Sequence, residues 1–196
     1  MFTHFTELVS SASGWAYAIV FLLSLLDAFL PVVPSETAVI TAGVVAASGD
    51  LSLPLVVAAG AGGAFAGDNI SYFIGQEFGR GVVDRFGGEK GRGRVEWAKR
   101  QLQERGVQLI LVGRFIPGGR TAVTLGAGLT RFGWRRFLPA DAAAALAWGI
   151  YAALLGYFGG RAFEDEPWQG LVVALGIGFA LGGAVEIGRH LRRRFA

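Results

Sequence analysis

The chain has 196 residues, of which 53% are hydrophobic and only 17% charged, and its mean hydropathy is +0.47. A soluble domain of this length cannot bury that much apolar surface, and the 31 glycines match the enrichment of packed membrane helices. Cysteine is absent, which excludes disulfide and thiol chemistry.

Charge is strongly segregated. Residues 1–79 carry no Lys or Arg, only the acids Glu7, Asp27, Glu36, Asp50, Asp68 and Glu77, and the segment before Trp15 lacks the basic stretch of a signal peptide. In chain order, 1–14 reads as an interfacial segment. Residues 15–30 are apolar but short of the roughly 20 needed to span a bilayer. They end in Pro31-Val32-Val33-Pro34-Ser35-Glu36, and a second apolar arm follows at once. Two half-length arms around a double-proline break predict a re-entrant hairpin over 15–48. The run 53–79 is long enough to cross, with Asp68 about 15 residues, or roughly 22 Å, along it. An acid at that depth needs a cationic partner, and Arg114 or Arg120 is the candidate; Asn69 adds a polar contact.

The segment 80–105 reads as a basic loop on the cytoplasmic side, with the glycine-rich stretch 87–93 inside it a flexible surface linker. It holds Arg80, Arg85, Lys90, Arg92, Arg94, Lys99, Arg100 and Arg105, interleaved with Asp84, Glu89, Glu96 and Glu104. That interleaving and a single tryptophan, Trp97, argue against nucleic acid and for a face toward anionic lipid. Next, 107–130 repeats the hairpin pattern around Gly113-Arg114-Phe115-Ile116-Pro117-Gly118-Gly119-Arg120. In a straight helix the two arginines would each cost about 2.5–3.5 kcal/mol near the bilayer centre. The breakers instead let the chain reverse and turn both guanidinium groups into a protein-lined cavity suited to an anion. Residues 137–160 and 169–188 read as crossings, Glu164-Asp165-Glu166 as the acidic loop between them, and 189–196 as a basic tail.

The positive-inside rule then gives three crossings, with the N-terminus outside and the C-terminus cytoplasmic. Hairpin-then-span at 15–79 recurs at 107–160 from the opposite face. The expected fold is therefore an all-α membrane protein, an inverted repeat of re-entrant hairpin plus transmembrane helix with one further C-terminal helix, as in secondary transporters.

Leu26-Asp27 with Pro31, Pro34-Ser35-Glu36 and Gly43, then Gly67-Asp68 with Tyr72, Gly75 and Gly79, then Arg114-Phe115-Ile116-Pro117 with Arg120 and Gly128, and finally Phe137 with Trp148, closely resemble the DedA family, also called the SNARE-associated or VTT-domain family. The arginine-proline-arginine element with its six-residue spacing is the most specific part of a resemblance running from about 15 to 160. Asp27 stands where the family more often has Glu, Gln76 where Arg is frequent, and Asp141 and Ala144 where Asn and Gly are common. The resemblance implies a plasma-membrane flippase of a phosphate-bearing lipid, foremost undecaprenyl phosphate, driven by the proton motive force. An uncoupled phospholipid scramblase is the alternative.

On that reading Arg114 and Arg120 bind the phosphate through bidentate forks, Asp27 and Glu36 carry the proton, and Asp68 is a supporting ion pair. The competing readings are that the arginines only pair with carboxylates, that Glu36 caps a helix, and that Tyr72 and Trp148 are packing or interface aromatics. A membrane lipid-phosphate enzyme is the rival class. His4 and His190 lie outside the expected core, and there is neither a Gly-x-Ser-x-Gly elbow nor a metal-ligand spacing, so no cofactor or metal is expected. A scaffold protein would have no need of buried charges.

Overall fold

The computed structural model describes residues 2–30, 33–83, 85, 88–116, 118–162 and 176. The span expected at 169–188, apart from 176, the acidic loop and the basic tail lie outside these residues.

Among the described residues every element is a helix: α1 (Phe2–Leu26), α2 (Ser35–Ala47), α3 (Leu53–Val82), α4 (Gly88–Gly113), α5 (Gly119–Leu129) and α6 (Trp134–Ala162). Two are long and apolar enough to cross a membrane, Leu53–Gly79 of α3 and Trp134–Ala162 of α6. α1 runs without interruption through the segment expected to be a separate interfacial piece, because nothing before Leu26 breaks it.

The expected loop over 80–105 is largely helix. α4 starts at Gly88 and bends at Arg105, whose φ of −136° and ψ of 24° leave the helical range. Arg94 to Glu104 consists mostly of strong helix formers, with Glu96 placed four residues before Arg100; these outweigh the glycines at 91 and 93. The bend falls beside Gly106, where a Cβ would strike the Phe132 ring.

Four contacts organise the bundle. α1 lies along the first half of α3, with Phe21 against Gly63 and Leu25 against Gly67. α5 lies along the second half, with Leu125 against Gly75 and Leu129 against Gly79. α2 lies along the end of α6, where Ile40 meets Gly156 and Val44 meets Gly160. α3 and α6 run antiparallel through the middle, with Gly149 on Ala61. The missing side chains let backbones approach closely, the route to helix association where lipid gives no hydrophobic drive.

Two apolar clusters result. Val39, Ile40, Val56, Ala152 and Ala153 form one, and Tyr72, Leu102, Ile110, Phe137 and Ala144 the other. The polar site lies on α3 between them.

Candidate functional site

α1 ends at Leu26, and Asp27 follows in the turn that leads to α2. A carboxylate at a helix C-terminus is unfavourably placed against the helix dipole, so it needs donors. It has two on its Oδ2: Ser35 Oγ, at the start of α2, donates at 2.7 Å, and Arg120 Nη1 donates at 2.9 Å. The first bond closes the tip of the α1/α2 hairpin. The second ties that tip to the α4/α5 hairpin.

Arg120 occupies the first turn of α5, after Gly118 has turned the chain in the left-handed region at φ 68°. All three of its guanidinium nitrogens are engaged. Besides Asp27, Nε donates to Asp68 Oδ1 at 2.7 Å, and Nη2 donates to the carbonyls of Ala64 at 3.1 Å and Ser24 at 3.4 Å. One side chain thus joins α1, α3 and α5.

Asp68 is fully buried in α3 and takes both arginines, Arg114 Nη1 bonding its Oδ2 at 2.6 Å. Arg114 follows the last residue of α4, Gly113, where a cation suits the helix dipole. Its side chain is 3% exposed, and its charge lies 5.3 Å from the centre of the Trp148 ring. Its remaining donors are different: Nε and Nη2 are buried and have no hydrogen-bond partner among the described residues. These two N–H groups form the edge that grips carboxylate or phosphate bidentately.

A third carboxylate completes the cluster. Asp141, 1% exposed in α6, sits 3.7 Å from Arg114 Nη1 through Oδ1 and accepts from Asn69 Nδ2 at 3.2 Å through Oδ2. Asn69 Oδ1 in turn accepts from Trp134 Nε1 at 3.2 Å. Buried charges persist only when paired and hydrogen-bonded. Here three aspartates face two arginines, a formal surplus of one negative charge.

The structure therefore brings Asp27, Asp68, Arg114 and Arg120 together. Glu36 stays out: it is exposed in the first turn of α2, with no hydrogen bond or ion pair among the described residues. Ser35, one position earlier, takes the place beside Asp27. Reading the sequence left Asp141 without a role and Trp148 as packing. An acid within the apolar run 137–160 was the available signal for the first; for the second it was its place beside Phe137 in the family resemblance. No group of three His, Cys, Asp or Glu among the described residues could hold a metal, and Pro117 lies outside them.

Comparison with known proteins gives this architecture a place. The VTT domain matches residues 33–158. Protein DedA of Escherichia coli K12 is 29% identical over 196 residues, covering 96% of this chain and 90% of its own length. The inner membrane protein YohD of the same organism is 32% identical over 133 residues, 68% of this chain and 67% of YohD. Undecaprenyl phosphate transporter A of Bacillus subtilis is 25% identical over 138 residues, 69% of this chain and 70% of that protein. No solved structure matches. With its domain match running from just before α2 through most of α6, the chain belongs to the VTT-domain, or DedA, family of membrane proteins.

Proposed function

We propose that this protein carries a phosphate-bearing lipid across the plasma membrane, with undecaprenyl phosphate as the substrate and the proton motive force as the drive. The observation that carries the reading is Arg114: a buried guanidinium held by Asp68 on one side, with its bidentate edge left open. Leaving such donors unpaired costs about 1–3 kcal/mol or more, a penalty that a phosphate would lift. Arg120, with each guanidinium nitrogen bonded to a protein acceptor, holds the two hairpins and contributes charge to the same anion. The relative named for undecaprenyl phosphate transport supports the choice of lipid.

The hairpins are re-entrant on this reading, and the two halves form an inverted repeat. Exchange between halves supports it: α2 of the first half packs on α6 of the second, and α5 of the second packs on α3 of the first. Basic residues 80–105 and 131–136 then face the cytoplasm, and the N-terminus lies outside.

Charge counting supports proton coupling. Three aspartates, two of them buried and Asp27 partly so, against two arginines already leave one negative charge, and a phosphate deepens the deficit, so protons must accompany it. Asp27 passes the proton at the crossing of the hairpins, with Glu36 at its mouth as the relay to water, and Asp141 beside Arg114 is where the proton travels with the phosphate. No bond of the substrate changes, so the protein is a carrier rather than an enzyme.

The test is flux in liposomes containing undecaprenyl phosphate or, separately, dioleoyl phosphatidate, with and without a pH gradient. Gradient-dependent movement of undecaprenyl phosphate that Arg114→Ala abolishes is expected. Equal movement of both lipids regardless of gradient would replace this reading with scrambling, and release of inorganic phosphate would replace it with hydrolysis.

A further inference from the structure

At the start of α6 the structure opens a cavity of about 570 Å³ whose walls include Lys99 of α4, Arg131 and Phe132 from the α5–α6 turn, and Trp134, Arg135 and Arg136 of α6. Four cations line it and no carboxylate does. Among the described residues none of the four makes an ion pair. Positive charge gathered in a concave wall without counter-charge concentrates anions.

The backbone adds an independent sign. α5 ends with the N–H of Phe132 bonded to the Ala127 carbonyl at 2.9 Å and that of Arg131 to the Gly128 carbonyl at 2.9 Å. This pattern requires its middle residue in the left-handed region, where glycine is the unstrained choice. Arg131 occupies it at φ 55° and is the sole described non-glycine residue with positive φ. The residue in this strained position is thus one of the four cations of the cavity wall.

A short chain of side chains links the cavity to the buried site. Trp134 donates to Asn69, Asn69 donates to Asp141, and Asp141 lies beside Arg114.

We propose that this cavity is a second anion site, a vestibule that holds the phosphate monoester headgroup of the lipid before or after its passage past Arg114. Its cations take the phosphate oxygens, Trp134 and Phe132 face the first apolar part of the tail, and the Trp134–Asn69–Asp141 chain separates it from the core. The inference rests on the transport reading for its place in the path, but its binding test does not. A soluble phosphate would satisfy the same cations, so the probes must separate the two sources.

The experiment titrates the full chain in dodecyl maltoside with farnesyl monophosphate, inorganic phosphate and farnesol, following tryptophan fluorescence, with Trp134→Phe identifying the signal. Saturable, salt-sensitive binding of farnesyl monophosphate is expected. Arg135→Gln/Arg136→Gln should weaken it by about tenfold or more, since two charge-assisted contacts are lost. Arg135→Lys/Arg136→Lys should recover most of the loss, and Arg114→Ala should leave this binding in place. Inorganic phosphate binding as tightly as farnesyl monophosphate would keep the site and assign it to a soluble anion. An unchanged affinity in the double glutamine variant, or an equal response to farnesol, would overturn the proposal. Failure of the transport reading would show instead as undiminished flux in Arg114→Ala, with vestibule binding intact.

Discussion

Arg120 Nε meets Asp68 Oδ1 at 2.7 Å, while the other oxygen of Asp68 is held by Arg114. The two arginines thus share one carboxylate and are not equivalent. Arg120 is enclosed by four acceptors on α1, α3 and the hairpin tip; Arg114 bonds a single carboxylate and keeps an open edge.

The consequence is a division between stability and transport. Arg120→Ala leaves Asp27 with only Ser35 and removes the bridge between hairpins. Breaking a buried pair in this way costs about 3–5 kcal/mol, so the variant should lose monodisperse protein on size exclusion and melt well below wild type. Arg114→Ala leaves Asp68 still bonded to Arg120 but takes the cation from beside Asp141, so it should melt below wild type yet above Arg120→Ala, stay folded, and lose transport. Equal melting temperatures for the two variants would contradict the assignment.

The contrast was only half visible in the linear chain. Both arginines flank the same proline and read alike there; which one is enclosed depends on α1 and α3 supplying Ser24 and Ala64 carbonyls from far away in sequence. The hairpins and two long helices were legible because proline, glycine and hydropathy are local signals. Residues 88–105 were misread as loop, since glycines at 91 and 93 masked the helix formers that follow. Glu36 was expected beside Asp27, yet one residue is about 100° on a helix, and Ser35 holds the inward position. Asp141 is an acid whose meaning exists only once α6 lies antiparallel to α3.

Small residues at the helix crossings make a second prediction. A Cβ on Gly128 would overlap the Tyr72 carbonyl, and one on Gly156 the Ile40 carbonyl. Backbone cannot step aside as a side chain can, so Gly128→Ala and Gly156→Ala should each cost about 1–3 kcal/mol. Gly126→Ala, with nothing within 4 Å of the new methyl, should be neutral or stabilising by up to about 1 kcal/mol. Thermal melts in detergent give the comparison, and a destabilised Gly126→Ala with a tolerant Gly128→Ala would refute the packing.

Orientation can be read with single cysteines in this cysteine-free chain. Asp50 lies in the turn between α2 and α3, and Arg135 at the start of α6, which runs antiparallel to α3. Cysteine at 50 should react with an impermeant maleimide added outside cells, and cysteine at 135 only after the membrane is opened. Labelling of both from one side would remove the proposed topology.

The most chemically specific prediction concerns Asp141. Its nearest arginine nitrogen is 3.7 Å away, whereas Asp68 and Asp27 receive theirs at 2.6 to 2.9 Å. Of the three aspartates it has the weakest cationic partner, so the surplus negative charge is most cheaply neutralised there by a proton. The groups around it are Asp68 and Asn69 from α3, Arg114 after α4 and Arg120 of α5. A phosphate arriving at Arg114 adds negative charge close by and favours proton uptake at this carboxyl. Asp141→Asn keeps the shape, cannot titrate, and equalises two aspartates with two arginines. The variant should fold at least as stably as wild type and bind lipid phosphate, while its flux no longer responds to an imposed pH gradient. Measured in the same liposomes, a variant whose gradient response matches wild type would return the coupling proton to Asp27 and Glu36; one that transports nothing in either direction while still binding would make Asp141 essential to movement rather than to coupling.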